Sequence, residues 1–190
     1  MSVSPRPAGP NAMRAVTALL LLACIAGTVY VFEQRTAGPA APTPDPERRA
    51  KGQALFTSTL RQFDGSRVAM APLEGRPLIA YFWATWCAAC RIEAQALVAL
   101  RQRYSSNGLV VIAVGVDQSD RVASVAHELQ LDYPVYVGGQ EGIDLTKRLG
   151  NLLGDMPYTA AFDRHGTFVG QRLGKHGPST MDALAAAALQ

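Results

Sequence analysis

The sequence predicts an α/β domain built on a mixed central sheet with helices on both faces. Three observations carry this expectation. Two short continuous apolar runs, Leu78 to Trp83 (LIAYFW) and Leu109 to Val116 (LVVIAVGV), have the length and composition of strands buried on both faces. Each is followed by a stretch with helical spacing, the strand–helix–strand–helix order of parallel, right-handed crossovers. Late in the chain, Tyr158 to Asp163 and Thr167 to Leu173 flank Arg164-His165-Gly166, a hairpin turn that adds antiparallel strands.

Taken in order, Gln53 to Thr59 and Arg67 to Met70 read as an N-terminal strand pair around the Asp64-Gly65 turn. Glu74-Gly75-Arg76-Pro77 is a second turn before the first buried run. A helix is expected from Cys87 to about Tyr104, with Ile92, Ala96, Val98, Ala99 and Leu100 on its apolar side and Asn107-Gly108 at its end. Asp117-Gln118-Ser119-Asp120 offers N-cap candidates for a helix reaching about Leu131. Pro134 to Val137 reads as a short edge strand and Gly142 to Leu149 as a helix. Ser179 to Leu189 reads as a final Ala-rich helix. In open sheets of this kind chemistry gathers beyond the C-terminal ends of the central strands, and Cys87 falls there.

The N-terminal part has a different composition. Ala15 to Phe32 runs eighteen residues without a charge, within the span of about 17–25 needed to cross a hydrocarbon core. Arg6 and Arg14 precede it, which favours an internal N-terminus and an exported remainder. The expected organisation is a cytoplasmic tail over 1–14, a transmembrane anchor or signal segment over 15–32, a Pro/Ala-rich linker over 33–46 and a folded domain over 47–190. A cleaved signal peptide and lipoprotein processing at Cys24 are the competing readings, and all three export the domain. The placement that follows is the inner membrane, single-pass, with the domain facing the periplasm. The net charge is only +3 and no dense Lys/Arg block follows residue 50, which speaks against a nucleic-acid partner.

Of three cysteines, Cys24 lies in the apolar run, whereas Cys87 and Cys90 form the isolated pair of Trp86-Cys87-Ala88-Ala89-Cys90. That is the usage of a working dithiol rather than a disulfide framework. At a helix start the first sulfur faces unpaired N–H groups and the positive end of the helix dipole, which favour thiolate. Cys87 is therefore the expected nucleophile, and Cys90 the residue that resolves the mixed disulfide. A structural zinc site needs four ligands, and His127, His165 and His176 are not paired at ligand spacing, so each reads as a solvated residue and no metal is expected. Two thiolates alone leave open a copper-binding module.

The stretch Phe82-Trp83-Ala84-Thr85-Trp86-Cys87-Ala88-Ala89-Cys90-Arg91-Ile92-Glu93 resembles the thioredoxin superfamily, most of all its membrane-anchored TlpA/ResA branch, over about residues 53–185. The resemblance implies a thioredoxin-like fold with an N-terminal strand pair. Met156-Pro157-Tyr158-Thr159 matches the family's cis-proline segment, which implies that Met156 and Pro157 form the substrate-facing wall, with Trp86 shaping the docking surface. Glu93 matches an acidic position of that branch. There a carboxylate raises thiol pKa values or relays a proton, although an acid in the first helical turn also simply suits the dipole. Departures are Tyr81, where cytoplasmic thioredoxins carry a buried acid, Gln95 in place of a kinking proline, and the Ala88-Ala89 dipeptide.

The resemblance implies a periplasmic, membrane-tethered protein-disulfide reductase with no cofactor beyond the redox-active Cys87–Cys90 disulfide. Its implied partners are a DsbD/CcdA-like transmembrane thiol donor and exported protein substrates, either apocytochrome c or proteins with copper-site cysteines. A disulfide-forming oxidase is the alternative direction. A peroxidase is disfavoured, because the sequence around Cys87 does not resemble a peroxidatic loop.

Overall fold

The computed structural model describes residues 23–24, 27–28 and 45–190. The chain divides into two compact units, Met1–Thr43 and Pro44–Gln190. In the first, Ala23, Cys24, Gly27 and Thr28 are helical and exposed; the rest of the 15–32 segment, and most of the linker, lie outside the described residues. No helix among the described residues is long and apolar enough to cross a membrane.

The second unit runs α1 (Pro46–Phe56), β1 (Thr59–Arg61), β2 (Arg67–Ala69), β3 (Leu78–Trp83), α2 (Ala88–Tyr104), β4 (Val110–Gly115), α3 (Ser119–Glu128), β5 (Val135–Val137), α4 (Gly139–Arg148), β6 (Tyr158–Phe162), β7 (Phe168–Leu173) and α5 (Pro178–Ala188). Seven strands form one mixed sheet in the order β2-β1-β5-β4-β3-β6-β7. β3, β4 and β5 are parallel, while β6 runs antiparallel to β3 and β7 to β6. All six residues of β3 are buried, as its unbroken apolar run requires.

The two faces follow the strand period. Ile79, Tyr81 and Trp83 enter a core shared with Leu97 and Leu100 of α2, Val122 of α3 and Met181 of α5. Leu78, Ala80 and Phe82 enter the opposite core with Leu55 and Phe56 of α1 and Leu145 of α4. Burying a leucine such as Leu97 contributes about 1.5–3 kcal/mol, and here it also fixes the helix that carries Cys90.

Three expectations are corrected. Gln53 to Phe56 is the end of helix α1, not a strand: Asp45 caps it, accepting from the Glu47 N–H at 3.0 Å, and Pro46 occupies its first turn. β5 is interior rather than an edge, because β1 pairs on its outer side through Arg61 and Val137. The buried face of α2 is Cys90, Glu93, Ala94, Leu97 and Leu100, leaving Ile92, Ala96 and Ala99 exposed. A charged residue on the inner face had shifted the apparent apolar stripe. α3 begins within the expected stretch: Gln118 is its cap residue, without a side-chain cap bond, and Asp117 accepts the Thr85 hydroxyl and the Gln118 N–H.

Candidate active site

Cys87 is the N-cap of α2, with extended backbone (φ −87°, ψ 104°), and its Sγ accepts the Cys90 N–H at 3.1 Å. The sulfur thus sits against one of the unpaired donors of a helix start. Cys87 and Cys90 are joined by a disulfide with Cα atoms 5.2 Å apart. Cys87 is half-buried and Cys90 has no exposure, the asymmetry expected of an outer nucleophile and an inner resolving thiol. Trp86 stands 75% exposed beside them, so it is not packing residue but surface.

The helix start is gripped from below. The Tyr81 hydroxyl donates to the Cys90 carbonyl at 2.8 Å, and the Tyr133 hydroxyl donates to the Ala94 carbonyl at 2.7 Å. Burial pushes both phenols above their ordinary range, so they stay neutral donors. Ahead of the pair, the Thr85 hydroxyl donates to Asp117, tying the loop after β3 to the loop after β4. That bond, helped by the Gln118 N–H, holds the Asp117 carboxyl below the usual carboxylate range.

Glu93 does not lie in the first helical turn, where it would serve the dipole. It is one turn beyond Cys90 on the buried face and only 1% exposed. One carboxylate oxygen accepts the Thr159 hydroxyl at 3.1 Å and the other accepts the His176 N–H at 3.1 Å. Burial raises its pKa; the His176 N–H, the Thr159 hydroxyl and the nearby His176 and Lys175 side chains pull it partly back. Thr159 pairs with Tyr81 across β3 and β6, so the sheet presents both on the face beneath α2.

Met156 and Pro157 are joined by a cis peptide bond. Because β6 begins beside the end of β3, they lie at the same end of the sheet as Thr85 to Cys87. Pro157 is buried, and the half-buried Met156 packs, like Cys87, against the core that contains Cys90. The structure therefore gathers Trp86, Cys87, Cys90, Glu93, Met156 and Pro157 at one end of the domain. Sequence reasoning missed Tyr81, Tyr133, Thr159 and the Thr85–Asp117 bond as supports. Of these only Tyr81 carried a signal, as the departure from a buried acid. His176, expected as a solvated residue, is half-buried, and its backbone N–H is bonded to Glu93. His127 and His165 are exposed, and among the described residues no group of three or more His, Cys, Asp or Glu side chains could hold a metal ion.

The AhpC/TSA family model matches residues 52–170, more than half the chain. The chain belongs to the AhpC/TSA family. The chain is 27% identical over 157 residues to the thiol-disulfide oxidoreductase ResA of Geobacillus thermodenitrificans, covering 81% of this chain and 82% of that protein. With ResA of Bacillus thuringiensis it shares 26% identity over 132 residues, covering 69% and 74%. A thioredoxin-family thiol:disulfide interchange protein from Chlorobium tepidum superposes with a TM-score of 0.60 at 26% identity, covering 80% of this chain and all of that one. A secreted thiol-disulfide isomerase from Corynebacterium glutamicum shares the fold, with a TM-score of 0.63 at 18% identity, covering 71% and 84%. This AhpC/TSA-family chain has a thioredoxin-like fold, and it is a thiol–disulfide oxidoreductase with Cys87-Ala88-Ala89-Cys90 as its CxxC pair.

Proposed function

We propose that the chain is a membrane-tethered reductase that works on the outer side of the inner membrane. In this reading it takes electrons from a transmembrane thiol carrier and reduces disulfides of selected exported proteins. The observation that carries the direction is Glu93. A carboxylate buried one turn behind Cys90 disfavours thiolate there when ionised, whereas strongly oxidising dithiols are those whose reduced thiolate form is stabilised. The uncharged run over 15–32 and the Pro/Ala-rich linker support the tether.

In the forward reaction the Cys87 thiolate attacks a substrate disulfide. One substrate sulfur leaves, and a Cys87 mixed disulfide remains. Cys90 gives its proton to Glu93 and attacks the Cys87 Sγ. The Cys87–Cys90 bond forms, and the second substrate sulfur leaves as a thiolate that takes up a proton. Two electrons have passed from protein to substrate. Trp86, Met156 and Pro157 form the surface on which the substrate cysteine docks. Apocytochrome c and copper-site proteins are the proposed substrates, since their metal-binding cysteines must be reduced before loading.

The test is the reduction potential of Cys87/Cys90 combined with the in-cell redox state of the pair, read by alkylation. A potential near or below that of thioredoxin (about −270 mV) with a mostly reduced pair is expected. A mostly oxidised pair near the DsbA value of about −120 mV would make the chain an oxidase.

A further inference from the structure

The loop between β7 and α5 reaches both halves of the site. Gly174, at φ +81°, turns the chain out of β7, and its N–H donates to the Pro157 carbonyl at 2.8 Å. Two residues later the His176 N–H donates to Glu93. The His176 ring, through Nε2, bonds the Leu173 carbonyl at 2.9 Å, which keeps the imidazole beside its own backbone. Gly177 and Pro178 then open α5. The bracketed segment, Lys175-His176, is thus held over a buried carboxylate by a bond from each end of the turn.

The groups around Glu93 come from several elements. They are Cys90 on the same buried face of α2, Tyr81 on β3, Tyr133 ahead of β5, Thr159 on β6, and Lys175 and His176 on the loop. The tyrosines and the threonine are neutral. Arg172 lies opposite Thr159 in β7, but its guanidinium donates to the Gln171 carbonyl. The His176 ring is likewise engaged, by the Leu173 carbonyl, which leaves exposed Lys175 as the cation next to the backbone N–H that bonds Glu93.

We propose that the Lys175-His176 segment is a positioning element of the exchange reaction: its backbone, through the His176 N–H, holds the Glu93 carboxylate behind Cys90, and the adjacent Lys175 ammonium sets the pH at which Glu93 accepts the Cys90 proton. This rests on the reading of Glu93 as proton acceptor for Cys90. Positive charge at the loop keeps the carboxylate ionised to lower pH, so the resolving step, in which the thiolate of Cys90 displaces substrate from Cys87, opens at lower pH. The same loop is bonded to the Pro157 carbonyl through the Gly174 N–H, so one turn braces both the proline wall and the acceptor.

The experiment uses the full chain in detergent micelles, with a fluorescent peptide thiol joined to Cys87, and follows peptide release against pH. Lys175 is exposed, so changes there alter charge with little effect on folding. Lys175→Ala is expected to move the midpoint of the profile upward by about 0.3 pH unit or more, the size of a partly screened charge interaction. Lys175→Glu is expected to move it further, and Lys175→Arg is expected to leave it at the wild-type position. The spacing between variants is expected to narrow in 1 M salt. Superimposed profiles across the charge series, with Glu93→Gln having lost the ascending limb, would overturn the role of the loop while leaving Glu93 as acceptor. A Glu93→Gln profile identical to wild type would overturn both.

Discussion

Burying a carboxylate costs free energy unless it is hydrogen-bonded, and Glu93 has one partner for each oxygen, from two different elements. The residual cost appears in its raised pKa. Because the folded protein holds this proton to higher pH than the unfolded chain does, stability falls as pH rises from the ordinary Glu value, near 4.5, through the raised folded value. The slope contributed by one such group reaches about 1.4 kcal/mol per pH unit at its steepest. Urea unfolding of wild type and Glu93→Gln across pH 4 to 9 should show this fall in wild type and its loss in the variant. At the sulfurs, Cys87→Ser should abolish exchange, whereas Cys90→Ser should accumulate mixed disulfides on Cys87, because nothing then resolves them. Non-reducing electrophoresis of extracts from cells carrying each variant separates these outcomes, and the partners captured by Cys90→Ser name the substrates.

At the level of elements, α1 shows what propensity alone hides. Gly52 lies inside this helix, where alanine would raise intrinsic helix stability by about 1 kcal/mol. A Cβ there would sit 1.9 Å from the Gly166 carbonyl oxygen in the β6–β7 turn, so helix or turn must move. Gly52→Ala should therefore destabilise the domain by about 1–3 kcal/mol despite the better helix former, measured by urea unfolding. The strand misread over Gln53 to Thr59 belongs here too. The Asp45-Pro46-Glu47 helix start was present in the sequence, but the apolar tail of α1 runs straight into β1 and looks like one strand. The buried runs of β3 and β4 were legible because a strand covered on both faces has no polar interruption to blur it. Glu93 stands out in the sequence as a candidate site residue but not as an inner-face residue. Its bonding partners lie 66 and 83 positions away, and no local pattern announces such pairings.

For the whole molecule, the site is an intersection of elements that meet only in the folded sheet. The end of β3 delivers Cys87, the antiparallel start of β6 delivers Met156 and Pro157, and the exit from β7 delivers the cover over Glu93. The family resemblance brought the cysteines and the proline together from the sequence. It did not bring the tyrosines that hold α2 or the Thr85–Asp117 tie, because these depend on side chains meeting across the fold. The account stands on exchange running through Cys87 and resolving through Cys90. Its most direct measurement mixes the reduced full chain with an equimolar disulfide-bonded protein, quenches with an alkylating reagent and maps the adducts by mass spectrometry. The predicted result is a Cys87–Cys90 disulfide formed in step with two substrate thiols, with Cys24 alkylated throughout. Substrate reduction that leaves Cys87 and Cys90 as free thiols, or adducts that form on Cys24, would contradict it.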